Sequence, residues 1–554
     1  MNSCLLIGGL AGPGMARPGP GVGSSHRGNL AAEGNLADET ITSVCRDHAG
    51  PSISDQREWR HGTIGRRRCP MKRPLPLLTV SSANSPITAN RSVWQNKFAA
   101  PAPVIQSAQR EESNSAIATI GFYFALLFVF LRFSYLGEIL SYKFGMNIRL
   151  ALLVGPPTCL LLFLSGGIRR SFQGKASSMF IGYLFWLLVA APFSVWPGGT
   201  FDTLKSAFLT EFSMFFIVTG LVRSVEEVRK MSAAIAISGV LNLVICRSMG
   251  TYDTGRLSLP FGTLQNPNDL AVHLILVLPF VIMMFYTSGG RFSLWRVMAI
   301  PAVISAVYAV LLSGSRMALI ALALLTMFIV IRSTMTQRVL LLGSFALASG
   351  IALLCMPSLT IQRYMTMFNS EPVDIVDMNE YQGAMGSTEA RKRLLLNSIR
   401  LTFENPLFGV GPGQFAVEEE ALQRSMGLRG SWQVTHNTYT QVSSEAGFPA
   451  VTFYLGSIVF ALAGLYGIRT RGLQHSDKVE ILGSISFCLQ LSIVGLAVCS
   501  LFGALAYRHY LPTLLGLAIA FTHIAKRQLD QGSTAQSVRS IPAINTRTVS
   551  PSPR

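Results

Sequence analysis

The sequence predicts an all-α, polytopic integral membrane protein with about twelve transmembrane helices and one large external loop between the ninth and tenth spans. Three observations carry this. Half of the 554 residues are hydrophobic and only 13% are charged, far from the balance of a soluble domain. Apolar runs of about 17–25 residues recur, each long enough to cross a roughly 30 Å hydrocarbon core as a helix, the one open-ended fold that satisfies its own backbone in lipid. Basic residues concentrate in alternate short loops, as the positive-inside rule requires.

Taken in order, residues 1–112 are rich in Gly, Pro, Ser, Asn and Arg without a sustained apolar period, and read as a disordered tail. The run Leu5 to Leu10 is too short for a signal-peptide core and is broken by Gly12-Pro13-Gly14, so the first span acts as the insertion signal. Met71, followed by Lys72-Arg73, is an alternative translation start that would make residues 1–70 an artefact; Met1 or Met71 stays open. The membrane domain runs over 113–526. Its spans fall near 116–136, 148–166, 177–195, 207–223, 231–248, 269–287, 297–313, 316–332, 338–356, 446–468, 479–503 and 507–525, with Pro156-Pro157 a possible kink in the second. Residues 527–554 read as a disordered cytoplasmic tail.

With the N-terminus inside, the inner loops carry Arg169, Arg170 and Lys175; Arg223, Arg229 and Lys230; Arg291 and Arg296; Arg332 and Arg338; and Arg469, Arg471 and Lys478. Both termini are then cytoplasmic and the interval of about 357–440 lies outside. The formal charge of +18 therefore reflects topology rather than nucleic-acid binding. The eight cysteines show no CxxC pair and no His/Cys spacing for zinc, so neither a disulfide framework nor a metal is expected.

The external interval is expected to hold a helix over 388–404, opened by Ser387 or Thr388 as N-cap and closed at Asn405-Pro406. Winding it at about 100° per residue puts Arg393, Asn397, Arg400 and Glu404 on a wet face. Leu394, Leu395, Ile399, Leu401 and Phe403 lie around the other, where a narrow polar strip of Arg391, Ser398 and Thr402 aims Arg391 at the membrane domain. Glu418-Glu419-Glu420 reads as a solvated helical face.

Arg256, Arg316, Arg391, Arg393, Arg400 and Arg508 are outer basic residues that the topological rule does not place. An arginine fork suits phosphate oxygens, although Arg316 behind Ser313-Gly314-Ser315 also suits plain interfacial snorkelling. His436, beside Asn437 and Tyr439, has the ring whose ordinary pKa suits taking a proton from an acceptor hydroxyl; its other reading is a polar residue at a helix mouth. Gly409, Gly411 and Gly413 allow a tight backbone path, but Pro412 lacks an N–H, which weakens a phosphate cradle.

Arg391 followed by NPLFGVGPGQF and then HNTYTQVSSEAGFPA resembles the signature of the O-antigen ligase and Wzy polymerase family of bacterial membrane proteins. Further matches are Ser313-Gly314-Ser315-Arg316, Asn266-Pro267-Asn268 and APFSVWPGGTF at 191–201. The resemblance covers about 115–525, is dense over 310–320 and 387–450, and places the motif region at about 310–450.

The resemblance implies a metal-independent glycosyltransferase of the bacterial inner membrane, without cofactors. Its donor would be a saccharide on undecaprenyl diphosphate, and its acceptor a hydroxyl of a polysaccharide or lipid A core. Arg316, with Arg391 and Arg256, would bind the diphosphate, and His436 would activate the acceptor or bind the donor. Glu445, in a Glu-x-Gly pattern, would act as base, orient His436 or cap the tenth span. Asn437 and the three loop glycines would support the site. Ligase, polymerase and protein oligosaccharyltransferase share these motifs. The competing class is a transporter of a small anion such as bicarbonate, which predicts ionisable groups converging near the midplane, with His273 and His523 the residues to watch; the transferase predicts them at the outer mouth.

Overall fold

The computed structural model describes residues 103–253, 255–287, 293–365, 378–427, 430, 432–472 and 477–539. The expected disorder of 1–102 and of the chain beyond 539 lies outside the described residues. Among those described, the chain is helical except for one short hairpin. It begins with α1 (Pro103–Ser134), α2 (Leu136–Phe144), α3 (Leu150–Leu164), α4 (Lys175–Ala190), α5 (Pro197–Ala207), α6 (Ser213–Leu221) and α7 (Val225–Met249). The hairpin of β1 (Thr251–Asp253) and β2 (Arg256–Ser258) follows, antiparallel with Tyr252 opposite Leu257. Then come α8 (Pro267–Thr287), α9 (Leu294–Leu312), α10 (Arg316–Arg332), α11 (Met335–Cys355), α12 (Ser358–Met365), α13 (Met378–Glu404), α14 (Phe415–Ser425), α15 (Thr438–Gly472), α16 (Asp477–Cys499) and α17 (Tyr510–Arg539).

This is a multi-pass, all-α membrane architecture. Among the described residues eight helical stretches are long and apolar enough to cross a bilayer: 116–134, 175–193, 197–221, 225–249, 267–286, 294–312, 438–471 and 481–499. The other four predicted positions hold α3, of 15 residues, α10, of 17, and the helices α11 and α17. The predicted span at 207–223 starts earlier, because Pro197 opens α5 at a position where its missing N–H costs nothing. Within it Phe208–Phe212 forms a π-turn joining α5 to α6, and this turn carries Glu211, which pairs with Arg132 of α1. The predicted tail boundaries at 112 and 527 both fall inside helices, since a nucleated span propagates cheaply into neighbouring helix formers.

The core lies among α4, α6, α8, α15, α16 and α17, where Phe180, Tyr183, Phe212, Phe215 and Tyr454 are fully buried. Lipid is as apolar as these side chains, so shape fit and hydrogen bonds hold the helices together rather than exclusion of water.

The described part of the interval 357–440 is folded. α13 ends at Asn405-Pro406 as expected but starts at Met378, so Ser387 and Thr388 lie within it and are not caps. Ser398 and Thr402 are buried as the polar strip requires, and Thr402 meets Ser443 of α15 at 2.8 Å. The wet face is only partly wet. Asn397 donates to Glu419 at 2.8 Å, and Arg393 stands 3.6 Å from the same carboxylate. Glu419 is fully buried, which corrects the expectation of a solvated acidic face: α14 turns it inward, where Asn397, Gln423 and Arg393 satisfy it. The opposite flank of α13 exposes Leu396, Ile399 and Phe403, and Phe403 makes an edge contact with Phe448.

α15 is two helices. Gly447 breaks it at φ 79°, ψ 179°, and the rings of Tyr439 and Tyr454 come within 6.4 Å although fifteen residues separate them. A straight helix would part them by about 22 Å, so the segment before Gly447 folds back on the span behind it. A Cβ on Gly447 would sit 2.1 Å from the Leu407 carbonyl oxygen. Gly447→Ala therefore carries both left-handed strain and a backbone clash, an expected loss of about 2 kcal/mol or more. Thermal unfolding in detergent checks this, and an unchanged midpoint would contradict the break.

Candidate functional site

The site is built on the end of α9. Ser313-Gly314-Ser315 turns the chain between α9 and α10 with Gly314 at φ 59°, a left-handed position that favours glycine. The turn leaves carbonyls without helical partners. Arg256 Nε donates to the Ser313 oxygen at 2.9 Å, Arg363 Nε to the Gly314 oxygen at 3.2 Å, and the Tyr364 hydroxyl to the Leu311 oxygen at 2.8 Å. Cations suit this negative helix end. A Cβ on Gly314 would lie 3.1 Å from Arg363 Cδ and 3.3 Å from Arg256 Cγ, so the two arginine stems flank the glycine.

The Asn266-Pro267-Asn268 segment locks onto the same turn. Asn268 Oδ1 accepts from Arg256 Nη2 at 2.9 Å and from the Ser315 hydroxyl at 2.8 Å, while its own N–H donates to Asn266 Oδ1. Arg316, the first residue of α10, donates from Nη2 to the Thr388 hydroxyl of α13 at 2.9 Å. Arg391 stands one helical turn further along. Its guanidinium hydrogen-bonds no described residue, and Arg316 and Arg363 add to burial in depressing its pKa. Burial, with Arg363 and Arg391 behind it, pushes Arg256 down to about 10, still cationic at neutral pH. Among the described residues no carboxylate pairs with Arg256, Arg316 or Arg391. Four guanidinium groups thus converge, three of them expected from sequence.

His436 adjoins this cluster. Thr435 and Asn437 bracket it: the Thr435 hydroxyl donates to the Asn437 carbonyl, and Asn437 Oδ1 caps α15 by accepting from the N–H groups of Tyr439 and Thr440. Thr438 is stitched to the turn after α16, its N–H donating to the Ser500 oxygen and its hydroxyl to the Gly503 oxygen. Fixed on both sides, His436 sits at φ 52°, and its half-buried ring hydrogen-bonds no described residue. Strain of this kind collects at functional sites. Burial, then the charge of Arg391, pushes its pKa down to about 4, so the imidazole is neutral near pH 7 with a nitrogen lone pair free.

Glu445 lies apart from that ring. It is buried and accepts from the Gly413 N–H at 2.8 Å and the Tyr507 hydroxyl at 2.6 Å, and among the described residues no hydrogen bond joins it to His436. Of the three roles expected for Glu445, these contacts favour holding the start of the span over orienting His436. The neighbouring backbone does similar work: the N–H groups of Val410 and Gly411 donate to the oxygens of Ser444 and Glu445. The glycine loop therefore spends its donors on α15 and, at Gly409, on the Asn405 oxygen that follows α13, which leaves a supporting role and no phosphate cradle. APFSVWPGGTF packs behind it, with Val195 N–H on the Val410 oxygen and Phe193 stacked on Phe408 at 4.0 Å between centroids.

Residues 300–455 match the family described as O-antigen ligase. The chain carries an O-antigen ligase domain. No curated protein matches the chain. The matched segment starts in α9 and ends in α15, so the O-antigen ligase domain contains Arg316, Arg363, Arg391, His436 and Glu445, while Arg256 reaches in from the hairpin ahead of it. The family carries a ligase- or polymerase-type role in polysaccharide biosynthesis, on polysaccharide and lipid-linked substrates in a membrane.

Sequence reasoning missed Arg363. It stands in the part of the 357–440 interval ahead of 388 for which no helix was expected, and the one cue was the short amphipathic pattern of the eight-residue α12. Arg508 does not join the four; it lines a separate cleft with Asp269 and Tyr510. His273 and His523 do not converge either. His273 hydrogen-bonds Asn242 and Tyr510 near the start of α17, whereas His523 lies thirteen residues along that helix, by Gly174.

The depressed His436 pKa gives a signed expectation. Neutral imidazole persists down to about pH 4 in the folded protein, so the acid limb of kcat/KM falls near 4 rather than near 6.5. Arg391→Gln removes the nearest opposing charge and moves that limb upward. A pH profile of both proteins checks it, and a limb unmoved by the substitution would contradict the coupling.

Proposed function

We propose that the chain is a glycosyltransferase that moves a saccharide from undecaprenyl diphosphate to an acceptor hydroxyl on the outer face of the inner membrane. The observation that carries this reading is the convergence of four guanidinium groups, without a carboxylate among the described residues near three of them, beside a neutral imidazole. A multivalent anion suits the charge of Arg256, Arg316 and Arg391, which no described carboxylate pairs, and a diphosphate supplies two groups of matching fork geometry.

In the step itself, the acceptor oxygen bonds to the anomeric carbon while the bond from that carbon to the diphosphate oxygen breaks. The leaving diphosphate takes the electron pair, and Arg256, Arg316, Arg363 and Arg391 stabilise its growing charge in a partly desolvated site. His436 takes the acceptor proton. Glu445 is a positioning residue that holds the glycine loop and, through Tyr507, the start of α17. In the full reading about twelve helices cross the bilayer, both termini are cytoplasmic and 357–440 lies outside. Polymerase and ligase are separated by their products.

Arg316→Ala and His436→Ala are each expected to lower transfer by about 100-fold or more without loss of membrane insertion. Arg363→Gln is expected to fall in the same class. Lipid-linked intermediates and surface glycans of cells carrying each variant provide the measurement: shortened repeats mark a polymerase, lipid-linked polymer with bare acceptor marks a ligase, and normal glycans in all three variants would overturn the site. A Thr388→Cys protein is expected to react with an impermeant thiol reagent from outside the cell, and protection there would overturn the topology.

A further inference from the structure

Guanidinium groups gather a second time at the other end of α10. That helix begins at Arg316 and ends at Arg332, about 24 Å away along its axis. Arg332 lies over the Phe328 ring at 5.3 Å and over the Tyr466 ring of α15 at 5.6 Å, while Arg469 of α15 lies over the Phe487 ring of α16 at 4.5 Å. Phe328 and Phe487 are themselves stacked, with centroids 5.9 Å apart and planes 8° from parallel. Three helices thus bring two cations onto one aromatic pair.

The nearest backbone acceptors are already used. Arg338 donates from Nε to the Val330 oxygen and from Nη2 to the Ile331 oxygen, each at 3.0 Å, and so caps the end of α10. Among the described residues neither Arg332 nor Arg469 makes a side-chain hydrogen bond or ion pair, and Arg469 Nη1 is buried without a partner. A ring covers the face of a guanidinium and leaves its N–H edge unanswered. A snorkelling arginine would carry that edge out to water, which burial of Nη1 prevents. The Ser486 hydroxyl donates to the Leu465 oxygen at 2.6 Å and fixes α16 against α15 at this level. Met327 and Ile331 of α10, together with Tyr466, are each more than half exposed beside the two cations.

We propose that the ends of α10, α15 and α16 form a binding site for an anionic phospholipid of the leaflet away from the arginine cluster, its phosphate on Arg332 and Arg469 and its acyl chains along Met327, Ile331 and Tyr466. A phosphodiester offers oxygens to both unanswered N–H edges, and its charge offsets the repulsion between neighbouring cations. The bare apolar flank selects a lipid over free phosphate, because a ligand seated here continues into hydrocarbon. This site takes no part in sugar transfer and stands or falls apart from it.

The full-length protein in phosphatidylcholine nanodiscs is exchanged against phosphatidylglycerol of the same chain length, and the lipid it retains is counted by native mass spectrometry. Wild type is expected to prefer phosphatidylglycerol by about tenfold. Arg332→Gln and Arg469→Gln are expected to lose that preference, while Arg471→Gln, which removes an exposed cation at the same end of α15, keeps it. Absence of a preference in wild type, its survival in both of the first two variants, or an equal loss in Arg471→Gln overturns the site, the last because diffuse surface charge would then explain the binding. Full displacement of the lipid by inorganic phosphate overturns the lipid assignment in favour of a free anion. A phosphatidylglycerol with a photoreactive acyl chain places the lipid on wild type without any substitution: labelling of Met327, Ile331 or Tyr466 is expected, and labelling confined to other helices overturns the proposal even where a variant does not fold.

Discussion

Positive charge gathered in one place must be held there against its own repulsion, and the way the chain does this shapes the surrounding structure. Among the described residues the groups that hold Arg256 and Arg316 are neutral. The carbonyls of Ser313 and Gly314, freed by a helix end, take one N–H each from Arg256 and Arg363, and Asn268 takes another from Arg256. A carboxylate would have steadied the same side chains and cancelled the charge. Backbone oxygens steady them and leave it in place, which makes the helix end an anchor that costs the site none of its attraction for anions.

Around that anchor the sequence motifs become one object. Ser313 to Arg316, Asn266 to Asn268, the glycine loop and the 191–201 segment are far apart in the chain, yet hydrogen bonds tie them in two groups. The first binds the arginine stems. The second, centred on Glu445, holds the loop against α15 and reaches Tyr507 at the mouth of α17.

Much of this was legible in the sequence, for reasons that differ by element. The helices under the predicted spans were readable because a lipid environment leaves so few backbone solutions that an apolar run of the right length nearly determines its own fold. Arg391 was readable because helical periodicity put it on the strip with Ser398 and Thr402, which the structure buries against α15. The break at Gly447 was not, since Gly447 and Pro449 weaken a helix without placing its break, and the backbone of Pro406 and Leu407 that packs there comes from a distant part of the chain. Glu419 misled because three consecutive glutamates look solvated, while its partner Asn397 lies on another helix. Arg363 and the Asp269 to Arg508 cleft escaped for the same reason: their meaning is set by distant neighbours.

The exposed flank of α13 has a bearing on how a greasy cargo would enter. Phe403 is 70% exposed and leans on Phe448 at the kink, with Leu396 and Ile399 bare beside it. Wetting such a ridge is unfavourable, so its natural resting depth is the boundary where acyl chains meet headgroups. The same helix carries Arg391 and meets Arg316 at Thr388, so it forms an overhang beside the arginines. A long-tailed molecule arriving sideways within the leaflet would keep its tail in hydrocarbon throughout and lift only its head beneath this overhang, so bilayer thickness becomes a control on the opening it meets.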